Sequence, residues 1–195
     1  MNRNERLRYG QRPHVAYMLG DPMSRLPLAA VLLSAFIVLT VSSCKKAETP
    51  LPVTGNTAPS FSVVDTVGNR VRLSDFSGKI VILDFWATWC APCKASTREL
   101  EKLLEKYKAR GVVVLGISMD TGKSAAEQVK EYARKNSLTY QMLMDDGKMS
   151  KAYAVRNIPA LFILDRQQKI AKIYPGYLPG LGTMIESELA NLLHE

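Results

Sequence analysis

An apolar run, Ile80-Val81-Ile82-Leu83, leads through Asp84-Phe85-Trp86 to a pair of cysteines in Trp89-Cys90-Ala91-Pro92-Cys93. No other feature restricts the fold as strongly. A run of this kind marks a strand covered on both faces, as inside a parallel sheet. Leu100, Leu103, Leu104 and Tyr107 then recur at helical spacing, and Gly111 ends the helix. The cysteines therefore stand where a buried strand hands over to a helix. Residues three apart on a helix share a face. Their Cα atoms fall roughly 5–6 Å apart, the separation a disulfide prefers. The first cysteine meets unpaired helix N–H groups and the positive end of the dipole, which favour a thiolate.

The rest of the chain alternates strands and helices. Phe61–Asp65 and Arg70–Leu73 read as short strands joined by a turn at Val67-Gly68-Asn69, and 74–78 as a turn or single helical turn. Val112–Ile117 reads as a second buried strand, Ser124–Lys135 as a helix, and Tyr140–Met144 as a short strand. A short helix is expected over Lys148–Tyr153. Strands over Ala160–Leu164 and Lys169–Tyr174 flank the turn at 165–168, and Leu181–Leu193 closes the chain as a helix. This order predicts an α/β fold with a partly parallel sheet between helices.

The formal charge of +8 excludes little by itself. Five arginines against Glu5 and Asp21 put +3 in residues 1–44, and the remaining +5 is spread without a basic block. Nucleic-acid binding is not expected from such a pattern. Leu28–Val41 is an apolar run of about 14 residues, the length of a signal-peptide core and too short for an ordinary span. Residues 1–43 are read as a signal peptide, with Met23, or Met18, as the expected true start because 1–22 make an unusually long polar lead-in. Val41-Ser42-Ser43-Cys44 resembles a bacterial lipobox, which implies that Cys44 is lipidated and begins the mature chain. The alternative is an uncleaved anchor helix. Residues 44–57, punctuated by Pro50, Pro52 and Gly55, are expected to tether the domain at 58–195. Lipidation of Cys44 leaves Cys90 and Cys93, of three cysteines in all, to each other.

Over about 57–195 the chain resembles the thioredoxin superfamily, and within it the membrane-tethered TlpA/ResA group of thiol-disulfide oxidoreductases. The resemblance rests on Val81–Cys90 entering the CxxC pair, on Ile158-Pro159, on the helical segment between Asp120 and Asp145, and on the late hairpin from Phe162 to Ile170. It implies a thioredoxin fold: a central mixed sheet flanked by helices, with an N-terminal β-hairpin extension and a central helical insertion.

Cys90 is the expected attacking thiolate and Cys93 the resolving thiol. Ala91 and Pro92 are expected to tune the redox potential, as the intervening pair does in the family. The resemblance sets Asp84 at the family's buried carboxylate, a proton acceptor for Cys93. The alternative for Asp84 is a partly solvated strand-edge acid. Trp89 is expected to form an apolar rim for a docking partner, and Trp86 either to fill the core or to support the site. Ile158-Pro159 is expected to be cis and to offer its backbone to an extended substrate, against a trans proline opening the next strand. Some members of the ResA-like group carry a glutamate where this chain has Ser96, which weakens transfer of that mechanism. A zinc site would need about four ligands. No second CxxC exists, and His14 and His194 stand at the chain ends.

The expectation is an exported enzyme with no cofactor beyond a redox-active Cys90–Cys93 disulfide, held by a lipid anchor and facing the periplasm or its equivalent. It would reduce disulfides of exported proteins, apocytochrome c among the candidates, with electrons from a membrane thiol donor. The domain is expected to be monomeric. Alternatives are a thiol oxidase or isomerase, a thiol peroxidase, for which Ala87 and Trp89 around Thr88 do not supply the pattern, and a non-catalytic lipoprotein that keeps the fold.

Overall fold

The computed structural model describes residues 52–194. The expected signal peptide, start site and lipidated Cys44 lie outside the described residues.

Seven strands form one mixed sheet: β1 (Ser62–Asp65), β2 (Arg70–Arg72), β3 (Ile80–Trp86), β4 (Val112–Ser118), β5 (Gln141–Met144), β6 (Ala160–Leu164) and β7 (Ile170–Tyr174). Their order across the sheet is β2-β1-β5-β4-β3-β6-β7. β3 and β4 are parallel, as are β4 and β5; β6 and β7 continue the sheet antiparallel on the other side of β3. β3 is central and buried at every position, as its apolar sequence requires. β1 and β2 form the expected N-terminal hairpin and join the sheet through β5. Its turn is held by Asp65 Oδ1, which accepts the N–H groups of Val67 at 3.0 Å and Asn69 at 2.8 Å.

Among the described residues four α-helices cover the sheet: α1 (Cys93–Tyr107), α2 (Ala125–Lys135), α3 (Lys148–Ala152) and α4 (Leu181–His194). Alternate residues of β3 serve two cores. Ile80, Ile82 and Trp86 pack with Leu100 and Leu103 of α1, Val129 of α2, and Ile185 and Leu189 of α4. Val81, Leu83 and Phe85 pack on the opposite face with Met149, Tyr153 and the hairpin residues Val63 and Val71. Each fully buried Ile, Leu or Phe of β3 contributes roughly 1.5–3 kcal/mol. The predicted helical insertion is α2, which carries the chain from β4 to its parallel neighbour β5.

One boundary differs from the sequence expectation. Gly55 N–H donates to the Ile170 carbonyl at 2.8 Å, Ile170 N–H to that of Asn56 at 2.9 Å, and Ala58 N–H to that of Gln168 at 2.9 Å. The stretch read as tether up to residue 57 is thus bonded to the start of β7 at its far end. Proline and glycine content marks irregular backbone, and irregular backbone still finds partners when a strand end is open.

Candidate active site

The cysteine pair occupies the turn between β3 and α1. Cys90 and Cys93 form a disulfide with Cα atoms 5.3 Å apart. Pro92 (φ −68°) precedes the first helical residue, Cys93, where a fixed φ suits the helix and a missing N–H costs nothing. The buried residues of α1 are Cys93, Ser96, Thr97, Leu100, Leu103 and Tyr107. That is one helical stripe, and its first member is Cys93, so the packing of α1 turns this sulfur inward. Cys93 is fully buried, and Cys90, before the helix, is buried as well. The Cys93 N–H donates to Cys90 Sγ at 3.3 Å, the helix-terminus contact that favours negative charge on that sulfur. Ser96 is fully buried and its hydroxyl donates to the Cys93 carbonyl at 2.9 Å.

The Ile158–Pro159 bond is cis. The Ile158 carbonyl oxygen lies 3.8 Å from Cys90 Sγ, although 68 residues separate them. Trp89 is 69 % exposed, and Trp86 is fully buried with its ring centroid 4.9 Å from that of Tyr132. Trp89 and Ile158 share the wall of a cavity of about 320 Å³.

Asp84 is no strand-edge acid. It lies in the middle of the sheet, in register with Gly116 of β4 and Leu161 of β6, and is 0 % exposed. Neither carboxyl oxygen has a hydrogen-bond partner. Burial alone pushes its pKa up to about 8. Its place between Ile82 and Trp86 puts it on the side of β3 whose core includes Cys93.

Three residues of this region carried no signal in the sequence. Gly116 lacks the side chain that would fill the space beside Asp84. A Cβ there would stand 2.7 Å from Met142 Sδ, 3.0 Å from Trp86 Nε1 and 3.0 Å from Tyr140 Cε2. Tyr140 is buried and its hydroxyl, like Trp86 Nε1, has no partner. Burial, and then the charge of Asp84, hold the Tyr140 hydroxyl pKa well above its usual value.

The third is Asp120, just past β4 and 5 % exposed. Its Oδ2 accepts the Thr88 N–H at 2.9 Å and the Ser118 hydroxyl at 2.8 Å, and its Oδ1 accepts the Thr88 hydroxyl at 2.6 Å. These bonds fasten the loop that carries Cys90. They also commit the Thr88 hydroxyl, which a peroxidase reading would turn toward the cysteine. Only a register that brings the end of β4 against the end of β3 makes this contact.

A redox-active cysteine pair at a helix start, faced by a cis-proline loop on a mixed sheet, defines a thiol-disulfide oxidoreductase of the thioredoxin fold. Residues 54–173 match the model of the AhpC/TSA family, and the chain belongs to that family. It is 33 % identical over 153 residues to the thiol-disulfide oxidoreductase ResA of Geobacillus kaustophilus, covering 78 % of this chain and 86 % of that protein. It is also 33 % identical to the thioredoxin-like protein YneN of Bacillus subtilis, over 71 % of this chain and 78 % of that one. Among solved structures, one from Chlorobium tepidum assigned provisionally as thiol:disulfide interchange protein DsbE superposes with a TM-score of 0.67. That pair is 29 % identical and spans 74 % of this chain and 99 % of the other.

Proposed function

We propose that the protein reduces disulfides in proteins outside the cytoplasm, through a Cys90 nucleophile and a Cys93 resolving thiol. The observation that carries this reading is the asymmetry of the pair: one sulfur lies ahead of the helix beside the Ile158 carbonyl, and the other belongs to the buried stripe of α1. In the reduced enzyme the Cys90 thiolate attacks a substrate disulfide, forms a mixed disulfide and expels one substrate thiolate. Cys93 then gives up its proton, attacks Cys90 Sγ and expels the second. Substrate gains two electrons and the pair becomes a disulfide.

Asp84 is the acceptor for the Cys93 proton in this scheme. An ordinary thiol has a pKa of about 8.5, and the Asp84 carboxyl is pushed up to about 8. The ionised form of Asp84 is the one that takes the Cys93 proton, and its share grows as the pH approaches 8. Trp89 and the Ile158-Pro159 backbone receive the substrate as an extended segment. Ala91-Pro92 sets the potential of the pair.

The Leu28–Val41 run and the lipobox-like Val41-Ser42-Ser43-Cys44 support export and a lipid anchor at Cys44. Outside the cytoplasm the oxidised pair needs a membrane thiol donor, and the substrates are exported disulfide proteins, apocytochrome c among the candidates.

Cys93→Ser, expressed in a bacterial envelope, should accumulate mixed disulfides through Cys90 that dithiothreitol releases and the Cys90→Ser/Cys93→Ser double variant lacks. Adducts formed instead by Cys90→Ser would reverse the two roles. A reduction potential near −270 mV fits a reductase, and one near −120 mV would make the protein an oxidant.

A further inference from the structure

The loop from Ala154 to Asn157 runs directly into the Ile158-Pro159 bond. Its residues Val155, Arg156 and Asn157 line the cavity shared with Trp89, Met119 and Ile158. Trp89, Met119, Val155 and Ile158 make this wall largely apolar, and Arg156 is its one charged side chain. Arg156 is exposed and forms no ion pair among the described residues. Asp120, the buried acid after β4, is bonded instead to Thr88 and Ser118. Arg156 also lines a second cavity, of about 300 Å³, on the side of the loop toward Phe162 and Ile173. Arg156 therefore borders two hollows, two residues from the carbonyl beside Cys90 Sγ.

We propose that Arg156 is a specificity residue, and that the groove selects extended segments in which an aspartate or glutamate stands within about two residues of the reactive cysteine. This rests on the reading of the protein as a disulfide reductase. An extended chain advances about 3.3 Å per residue. Two residues of substrate thus span the distance a long arginine side chain covers from Arg156. An unpaired guanidinium on an apolar wall offers a bidentate match to a carboxylate, and repels a lysine or arginine at the same position. An exposed pair of this kind corresponds to up to about five-fold in rate or affinity, and it weakens with salt.

The test uses the full chain, reduced with dithiothreitol and desalted, in single turnovers. The substrates are three peptides of one sequence with Glu, Gln or Lys beside a single cysteine, each as its mixed disulfide with 2-mercaptoethanol. Cys90 attacks the peptide sulfur and mercaptoethanol leaves as its thiolate. Cys93 then displaces the peptide thiol, leaving the Cys90–Cys93 disulfide. Each rate constant is divided by that for neutral bis(2-hydroxyethyl) disulfide with the same protein. The wild type should prefer Glu over Lys by about five-fold at low salt, with Gln between and the spread shrinking in 0.5 M salt. Arg156→Gln should flatten the series and Arg156→Glu should invert it, a result that a purely structural role for Arg156 cannot produce. A wild-type series without charge preference, or one that Arg156→Gln leaves intact, overturns the proposal alone. Failure of the wild type to reduce even the neutral disulfide overturns the reductase reading and this proposal with it.

Discussion

Replacing Asp84 by asparagine should leave the oxidised protein about as stable at low pH and increasingly more stable than the wild type as the pH rises. In the folded state this carboxyl is fully buried without a hydrogen-bond partner, and its pKa rises from 3.8 to about 8. In the unfolded chain it ionises near its ordinary value of about 3.9. Below that pH both states carry the proton and the group adds no pH dependence. Between the two values the folded state still holds a proton that the unfolded state has released. Unfolding then releases a proton, and stability falls by about 1.4 kcal/mol per pH unit. Across a gap of roughly four units the loss is on the order of 5 kcal/mol, and it levels off above about pH 8. Total stabilities are about 5–15 kcal/mol, so the effect is large.

Asparagine keeps the shape and the missing partners but cannot ionise. Its burial costs about 1–3 kcal/mol independently of pH. The variant should therefore match the wild type or fall slightly below it near pH 4.5, and exceed it by several kcal/mol at pH 8.5. Urea unfolding of both disulfide forms at half-unit steps from pH 4.5 to 9 measures this, because every other titration cancels in the difference. A difference that does not vary with pH would refute the argument, since it would mean that the folded carboxyl is ionised and solvated. The same variant should resolve mixed disulfides more slowly, having lost the acceptor for the Cys93 proton.

Two further outcomes follow from neighbouring residues. Asp120→Asn replaces one acceptor oxygen by a donor and leaves part of the Thr88 contact unpaired; it should cost about 1–3 kcal/mol in urea unfolding and slow insulin-disulfide reduction, and wild-type values in both would remove Asp120 from the site. Gly116→Ala brings a methyl within 2.7 Å of Met142 Sδ and 3.0 Å of Trp86 Nε1, so it should destabilise by about 1–3 kcal/mol and alter the near-UV dichroism of the buried indole; an unchanged spectrum and stability would contradict the close packing at this strand position.

The parts legible in the sequence are those fixed by local pattern. β6 occupies the predicted Ala160–Leu164, and β3 runs from Ile80, the first residue of the apolar run, to Trp86. Both are apolar runs long enough to declare burial on two faces. The CxxC pair was legible because its spacing and its helix are contiguous. The cis Ile158–Pro159 bond was reachable only through the family resemblance, since a lone proline before a strand carries no such signal. Asp120, Tyr140 and Gly116 stayed silent for a different reason. Thr88 meets Asp120 across 32 residues, and Asp84 faces Gly116 only because β3 and β4 pair in one register. No periodicity encodes which residue of one strand lies beside which residue of the next. The hydrogen bonds of Gly55 and Ala58 to the start of β7 were hidden in the same way, behind a composition that reads as linker.

That register also explains why two buried aspartates of one site behave so differently. β4 presents Gly116 beside Asp84 and Ser118 beside Trp86. At the first level β4 offers no side chain at all, and neither the Trp86 indole N–H nor the Tyr140 ring edge that approach Gly116 gives Asp84 a bond. Two residues on, Ser118 supplies a hydroxyl and the loop before Cys90 supplies two more donors, so Asp120 is satisfied from three sides. A carboxylate with three donors is a fixture that orders the chain around it; a carboxyl with none stays protonated until the pH nears its raised pKa, and only then can it take a proton. Their surroundings thus give one acid a structural role and leave the other to handle a proton. In this protein the division is written in Gly116 and Ser118 of β4, on the strand that carries neither cysteine.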